Sequence, residues 1–145
     1  MLNKDFKEFI ELLNKNQIEY LIVGGYAVGF HGYPRYTGDI DIWIKVSDEV
    51  AVKMISILDE FGFESYELKK EDFLKTDNMI QLGYPPFRID IIMSIDGVSF
   101  EESYSNRVEK VIDNIPIKFI GLDELIKNKK ASGRDKDIID LKNLT

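Results

Sequence analysis

The chain has 145 residues, no cysteine, one histidine and a formal charge of −7. Its hydrophobic share of 44% suffices for one domain with a real core, while the missing cysteines exclude a disulfide framework and a thiolate metal site. The acidity argues against a surface that grips nucleic acid throughout.

In chain order, Phe6, Phe9, Ile10, Leu12 and Leu13 recur at helical spacing between Lys4 and Asn14, which predicts an amphipathic first helix ended by turn-prone residues. Tyr20 to Val23 reads as a short buried strand, and Gly24-Gly25 opens a brief helix through Phe30 that Gly32 and Pro34 terminate. A loop over Tyr33 to Gly38 leads to a strand from Asp39 to Val46. Ser47 then caps a helix with Val50, Met54, Ile57, Leu58 and Phe61 on its inward stripe, closed by Gly62. Residues 63–75 read as an edge strand and a short helix.

Asn78 to Gly83 and Phe87 to Ile95 form two strands joined at Tyr84-Pro85-Pro86. A short helical piece from Ser99 precedes a hairpin, Arg107 to Ile112 and Ile115 to Ile120, turning at Asp113-Asn114. Helices from Leu122 to about Lys130 and from Arg134 to Leu144 follow, broken at Ser132-Gly133. No repeat or linker interrupts the chain, so residues 1–145 are expected to form one domain, with 122–145 as a C-terminal helical appendage. No apolar run approaches the roughly 20 residues of a membrane span, and the N-terminus lacks signal-peptide order. A cytoplasmic protein with no membrane partner is the expectation.

Asp39 and Asp41 lie one residue apart on a predicted strand, which places them side by side while Ile40, Ile42 and Ile44 anchor the core. Neighbouring carboxylates repel, and a divalent cation is one common reason to keep both ionised. Asp90 repeats the parity, sharing a face with Arg88 while Ile89, Ile91 and Met93 share the other. Gly24 and Gly25 let backbone approach a phosphate closely, at the positive end of the helix they open. Asp39, Asp41 and Asp90 are hard oxygen ligands suited to magnesium, which binds at about 2.0 to 2.1 Å. Two such ions about 3.5 to 4 Å apart would steady both the attacking and the leaving oxygens of an in-line displacement.

The order Gly24-Gly25, then Asp39-Ile40-Asp41, then Asp90 within Arg88-Ile89-Asp90-Ile91-Ile92 resembles the nucleotidyltransferase superfamily that includes DNA polymerase beta. The resemblance implies an α+β fold: a small mixed, mostly antiparallel sheet with helices on one face, acids on the other, and C-terminal helices. It implies transfer of a nucleoside monophosphate from a nucleoside triphosphate substrate to an acceptor hydroxyl on RNA, protein or a small molecule. Pro34 to Asp41, with Lys129-Lys130-Ala131-Ser132-Gly133-Arg134-Asp135-Lys136-Asp137, is similar to small bacterial enzymes related to abortive-infection and toxin-antitoxin nucleotidyltransferases. A toxin-antitoxin partner is implied on that basis. By matching position, Asp39, Asp41 and Asp90 are the catalytic metal ligands, Asp90 also helping to deprotonate the acceptor. Lys129 and Arg134 meet triphosphate oxygens, and Arg35 and Thr37 steady the nucleotide. Position 25 is Gly where many relatives carry Ser, so a hydroxyl contact is missing there.

Two other functions fit the same residues: an antibiotic nucleotidyltransferase of aminoglycoside or lincosamide type, and an inactive nucleotide-binding or antitoxin-like regulator. Lys127 and Lys130 read as surface charges, His31 as a satisfied loop residue, and Trp43 as either a cover for the sheet or a stacking platform for a base. Arg88 fits an ion pair with Asp90 as well as a substrate contact.

Overall fold

The computed structural model describes residues 2–63 and 66–145. Helix α1 (Lys4–Lys15) starts where the Asn3 side chain accepts hydrogen bonds from the amides of Asp5 and Phe6. It buries Phe6, Phe9, Ile10 and Leu13 completely, each worth roughly 1.5–3 kcal/mol relative to exposure. Strand β1 (Tyr20–Val23) is buried along its whole length and runs directly into α2 (Gly24–Phe30). Next come β2 (Ile40–Ile44) and α3 (Asp48–Phe61), the latter capped by Ser47 Oγ and ended by Gly62 at φ 96°. That left-handed conformation is the reason a glycine stands there.

Strands β3 (Met79–Leu82) and β4 (Ile89–Ile92) precede α4 (Phe100–Ser105). The hairpin of β5 (Val108–Ile112) and β6 (Ile115–Phe119) turns through Asp113 and Asn114, both at positive φ as a two-residue hairpin turn demands. Helices α5 (Leu122–Ser132) and α6 (Asp135–Leu144) close the order.

The six strands form one sheet in the order β3-β4-β2-β1-β6-β5. Pairs β1–β2, β3–β4 and β5–β6 are antiparallel, while β1–β6 and β2–β4 are parallel. This is the mixed, mostly antiparallel α+β architecture that the resemblance implies. The inward stripes of α1 and α3 pack with Ile40, Ile42 and Ile44 into the main core.

Several element bounds differ from the sequence expectation. The two acidic strands are shorter, Ile40–Ile44 and Ile89–Ile92, and β4 stops at Ile92, which lies opposite Met79, the first residue of β3. The edge strand expected over 63–75 falls partly outside the described residues, at 64 and 65. Lys70–Phe73 forms a single 3-10 turn. Trp43 is 2% exposed and meets Phe100 edge to face at 5.1 Å, so it covers the sheet and presents no platform for a base. Among the described residues no helix is long and apolar enough to cross a membrane.

Candidate active site

The parallel pairing of β2 and β4 sets Asp41 opposite Asp90. Asp39 lies one residue before β2, where the Thr37 hydroxyl donates to its carbonyl at 3.1 Å. Asp41 and Asp90 therefore face each other on neighbouring strands, and Asp39 stands at the entry to β2. Burial pushes Asp41 up to about 7, reinforced by the charges of Asp90 and Asp39 and by a hydrogen bond to Asp90, with Lys136 acting in the opposite direction.

Gly24 and Gly25 stand beside the acids. Gly24 has φ 67°, and a Cβ there would collide with the Asp41 carboxylate, so the glycine is required by the acid as much as by any phosphate. A Cβ on Gly25 would lie 2.8 Å from Thr37 Oγ1. The Thr37 side chain thus occupies the space that a side chain at position 25 would need.

Arg88 stands among the acids. Its Nε donates to Asp90 Oδ1 at 2.7 Å, and its Nη2 donates to Asp90 Oδ2 at 3.0 Å and to Asp39 Oδ2 at 2.9 Å. The Asp90 hydrogen bond, aided by the charges of Asp90, Asp39 and Asp41, holds the guanidinium firmly charged against the effect of desolvation.

The basic residues near the C-terminus are placed differently from a free cationic strip. Lys129 is 3% exposed, with Nζ 2.9 Å from Asp137 Oδ1 and 3.2 Å from Asp140 Oδ2. Arg35 forms a two-pronged pair with Asp140, at 2.9 and 3.0 Å. Arg134 donates to Asp137 through Nε at 2.9 Å, and Ser132 Oγ donates to the same carboxylate at 2.6 Å. Burial alone would raise Asp137, but hydrogen bonds from Arg134, Ser132 and Lys129, together with the Lys129 charge, hold it well below the usual carboxylate range. Sequence reasoning missed Asp137 and Asp140 as partners. Their i, i+3 spacing on a helix next to Lys129 and Arg134 was the available signal.

A cleft of about 300 Å³ connects the two groups, lined by Gly24, Asp41, Ser94, Asp96, Asn128 and Lys129 among others. A more apolar cleft of about 450 Å³ lies on the other side of α2, against Gly25, Tyr26, Tyr36 and Thr37. His31 caps α2 and places Nε2 2.7 Å from the Ile120 carbonyl, which is the satisfied structural role expected of it.

Among the described residues, no group of three or more His, Cys, Asp or Glu side chains is arranged as a metal cage. The donors nonetheless suit a divalent cation. All are carboxylates, the type magnesium prefers, and a cationic group already bridges Asp39 and Asp90 in the form of Arg88. Lys127 pairs instead with Glu102 at 3.5 Å.

Residues 2–145 match the family described as "Nucleotidyltransferase of unknown function (DUF6036)". No curated protein sequence matches the chain. Among solved structures, the lincosamide antibiotic adenylyltransferase LnuA, bound to lincomycin, superposes with a TM-score of 0.58 at 16% identity over 99% of this chain and 96% of that one. A putative nucleotidyltransferase from Thermotoga maritima gives 0.62 at 13% identity over 94% and 88%. An antigenic nucleotidyltransferase-like protein from Paracoccidioides brasiliensis gives 0.54 at 16% identity over 93% and 71%. These structural likenesses concern the fold. The match along nearly the whole sequence goes further: the chain belongs to the DUF6036 family of nucleotidyltransferases.

Proposed function

We propose that this nucleotidyltransferase moves a nucleoside monophosphate from a nucleoside triphosphate to an acceptor hydroxyl, the acceptor oxygen bonding to the α-phosphorus as the α–β anhydride bond breaks and pyrophosphate leaves, with magnesium held by Asp39, Asp41 and Asp90. The observation that carries the reading is the β2–β4 register, which brings acids from distant parts of the sequence into one cluster beside Gly24. A bound magnesium supplies charge neutralisation for the triphosphate and for the oxygens that gain charge in the transfer. The backbone at Gly24, in the cleft shared with Asp41, Lys129 and Arg134, steadies the phosphate tail, while Thr37 holds the Asp39 carbonyl and Asp90 takes up the acceptor proton. Lys129 has three N–H donors, of which Asp137 and Asp140 engage two. The third serves the cleft wall and positions a triphosphate oxygen. Arg134 lies at the same rim, whereas Arg35 acts by fixing the loop that carries Thr37 and Asp39.

The acceptor is a small molecule or a protein hydroxyl, including that of a toxin partner, in preference to RNA. Lys127 pairs with Glu102, Lys129 with Asp137 and Asp140, and Arg134 with Asp137. These pairs engage Lys127, Lys129 and Arg134 and so weaken the track that the basic residues near the C-terminus could offer a polyanion. Asp96 adds a further carboxylate to the cleft wall, which favours, as a second reading, a cationic drug as acceptor.

Calorimetric titration with each of the four nucleoside triphosphates in the presence of magnesium tests the nucleotide site. Binding of at least one is expected, and the absence of binding by all four overturns the proposal.

A further inference from the structure

We infer that Arg88 is a resident cation of the acid cluster, holding Asp39 and Asp90 together in the metal-free protein and competing with divalent metal for their oxygens. The inference rests on the reading of these acids as metal ligands and adds a residue to it. One nitrogen, Nη2, contacts Oδ2 of both acids at 2.9 and 3.0 Å, while Nε takes the remaining Asp90 oxygen at 2.7 Å. Both Asp90 oxygens and one Asp39 oxygen are thus engaged by a single positive charge.

The surroundings let the side chain leave without disturbing the strands. The Arg88 backbone is fixed, because its carbonyl accepts from the Ile40 amide at 3.0 Å. Its side chain is 22% exposed, whereas that of Asp90 is 6% exposed, so the guanidinium can swing outward while the acid stays in place. A guanidinium keeps its charge throughout the working pH range. The competition is therefore charge against charge, and metal must displace Arg88 from oxygens that would otherwise be free.

The test is a titration of the full chain with manganese chloride in the absence of nucleotide, followed by calorimetry and by the electron paramagnetic resonance of free manganese. Arg88→Met keeps the aliphatic stem and removes the charge. It is expected to lower the manganese Kd by at least about tenfold, given the strength of a cation a few ångströms from two carboxylates. Arg88→Lys keeps the charge but lacks the fork, and is expected to lower the Kd by a smaller factor. In thermal unfolding without metal, Arg88→Met melts below wild type, and manganese raises its melting temperature more than that of wild type. An Arg88→Met Kd equal to or above the wild-type value overturns the inference. Should that variant not fold, an Arg88→Lys Kd equal to or above wild type does so. If wild type and variant bind manganese equally, only the role of Arg88 falls; if neither binds at millimolar concentration, the metal-ligand reading of the acids falls with it.

Discussion

At the scale of single residues, the site is organised by what fits around Asp41. The carboxylate lies against Gly24, whose φ of 67° and lack of a side chain leave it that room. Gly24→Ala therefore forces a methyl group onto Asp41 in a backbone conformation that alanine resists. A loss of roughly 2–4 kcal/mol is expected in urea unfolding, and a loss within the error of the measurement would show that the contact relaxes freely. The alternation of Asp39, Asp41 and Asp90 with aliphatic residues was legible because side chains on a strand point in turn to opposite faces. The bridge from Arg88 to Asp39 was not, since the two are 49 positions apart and only the pairing of β2 with β4 brings them together. The pairing of Arg88 with Asp90 was readable as one of two options, because both lie two residues apart on one face.

At the scale of elements, α6 shows where sequence reasoning fell short. Lys129 and Arg134 could be picked out by type, but their freedom to meet phosphate depends on which face of α6 turns inward. That face carries Asp137 and Asp140, which are 0% and 1% exposed. A ten-residue helix with a mixed pattern does not announce such a face, and buried acids are unusual enough that an exposed reading is the default. The helices and the hairpin were legible for the opposite reason: Ser47, Gly62, Gly133 and Asp113-Asn114 are residues whose local chemistry sets a cap or a turn. Strand ends were less so, because a ladder stops where its partner stops.

The buried acids of α6 have a consequence for pH. Asp137 is held below its ordinary value by its partners, so its ionised form stabilises the fold above the usual carboxylate range. That contribution is lost as pH falls below about 4 towards the depressed value. Asp137→Asn should be less stable than wild type at neutral pH by roughly 3 kcal/mol, because Lys129 is left with one partner fewer in a buried place. The gap should narrow as the pH is lowered through the acid range in guanidinium unfolding. A gap that stays constant with pH would contradict the assignment of the stabilisation to the charged carboxylate.

At the scale of the whole molecule, the sheet order explains how a short chain assembles a site from its two halves. Strand β2 lies between β1 and β4, so the glycine-led α2 that follows β1 and the acid on β4 arrive on either side of Asp41. The C-terminal helices then approach through the Arg35–Asp140 pair, which ties α6 to the loop preceding Asp39. Family membership was legible from the spacing of glycines and acids. The choice of acceptor was not, because it depends on which charges at the cleft remain open to a ligand once the helices have packed. Transfer itself is tested by incubating the purified chain with magnesium, cell extract and each nucleoside triphosphate labelled at the α-phosphate. Wild type should label an acceptor from at least one nucleotide, whereas Asp41→Asn, folded to the same melting behaviour, should label none; equal labelling by the two proteins, or none by wild type with any nucleotide, would contradict the account.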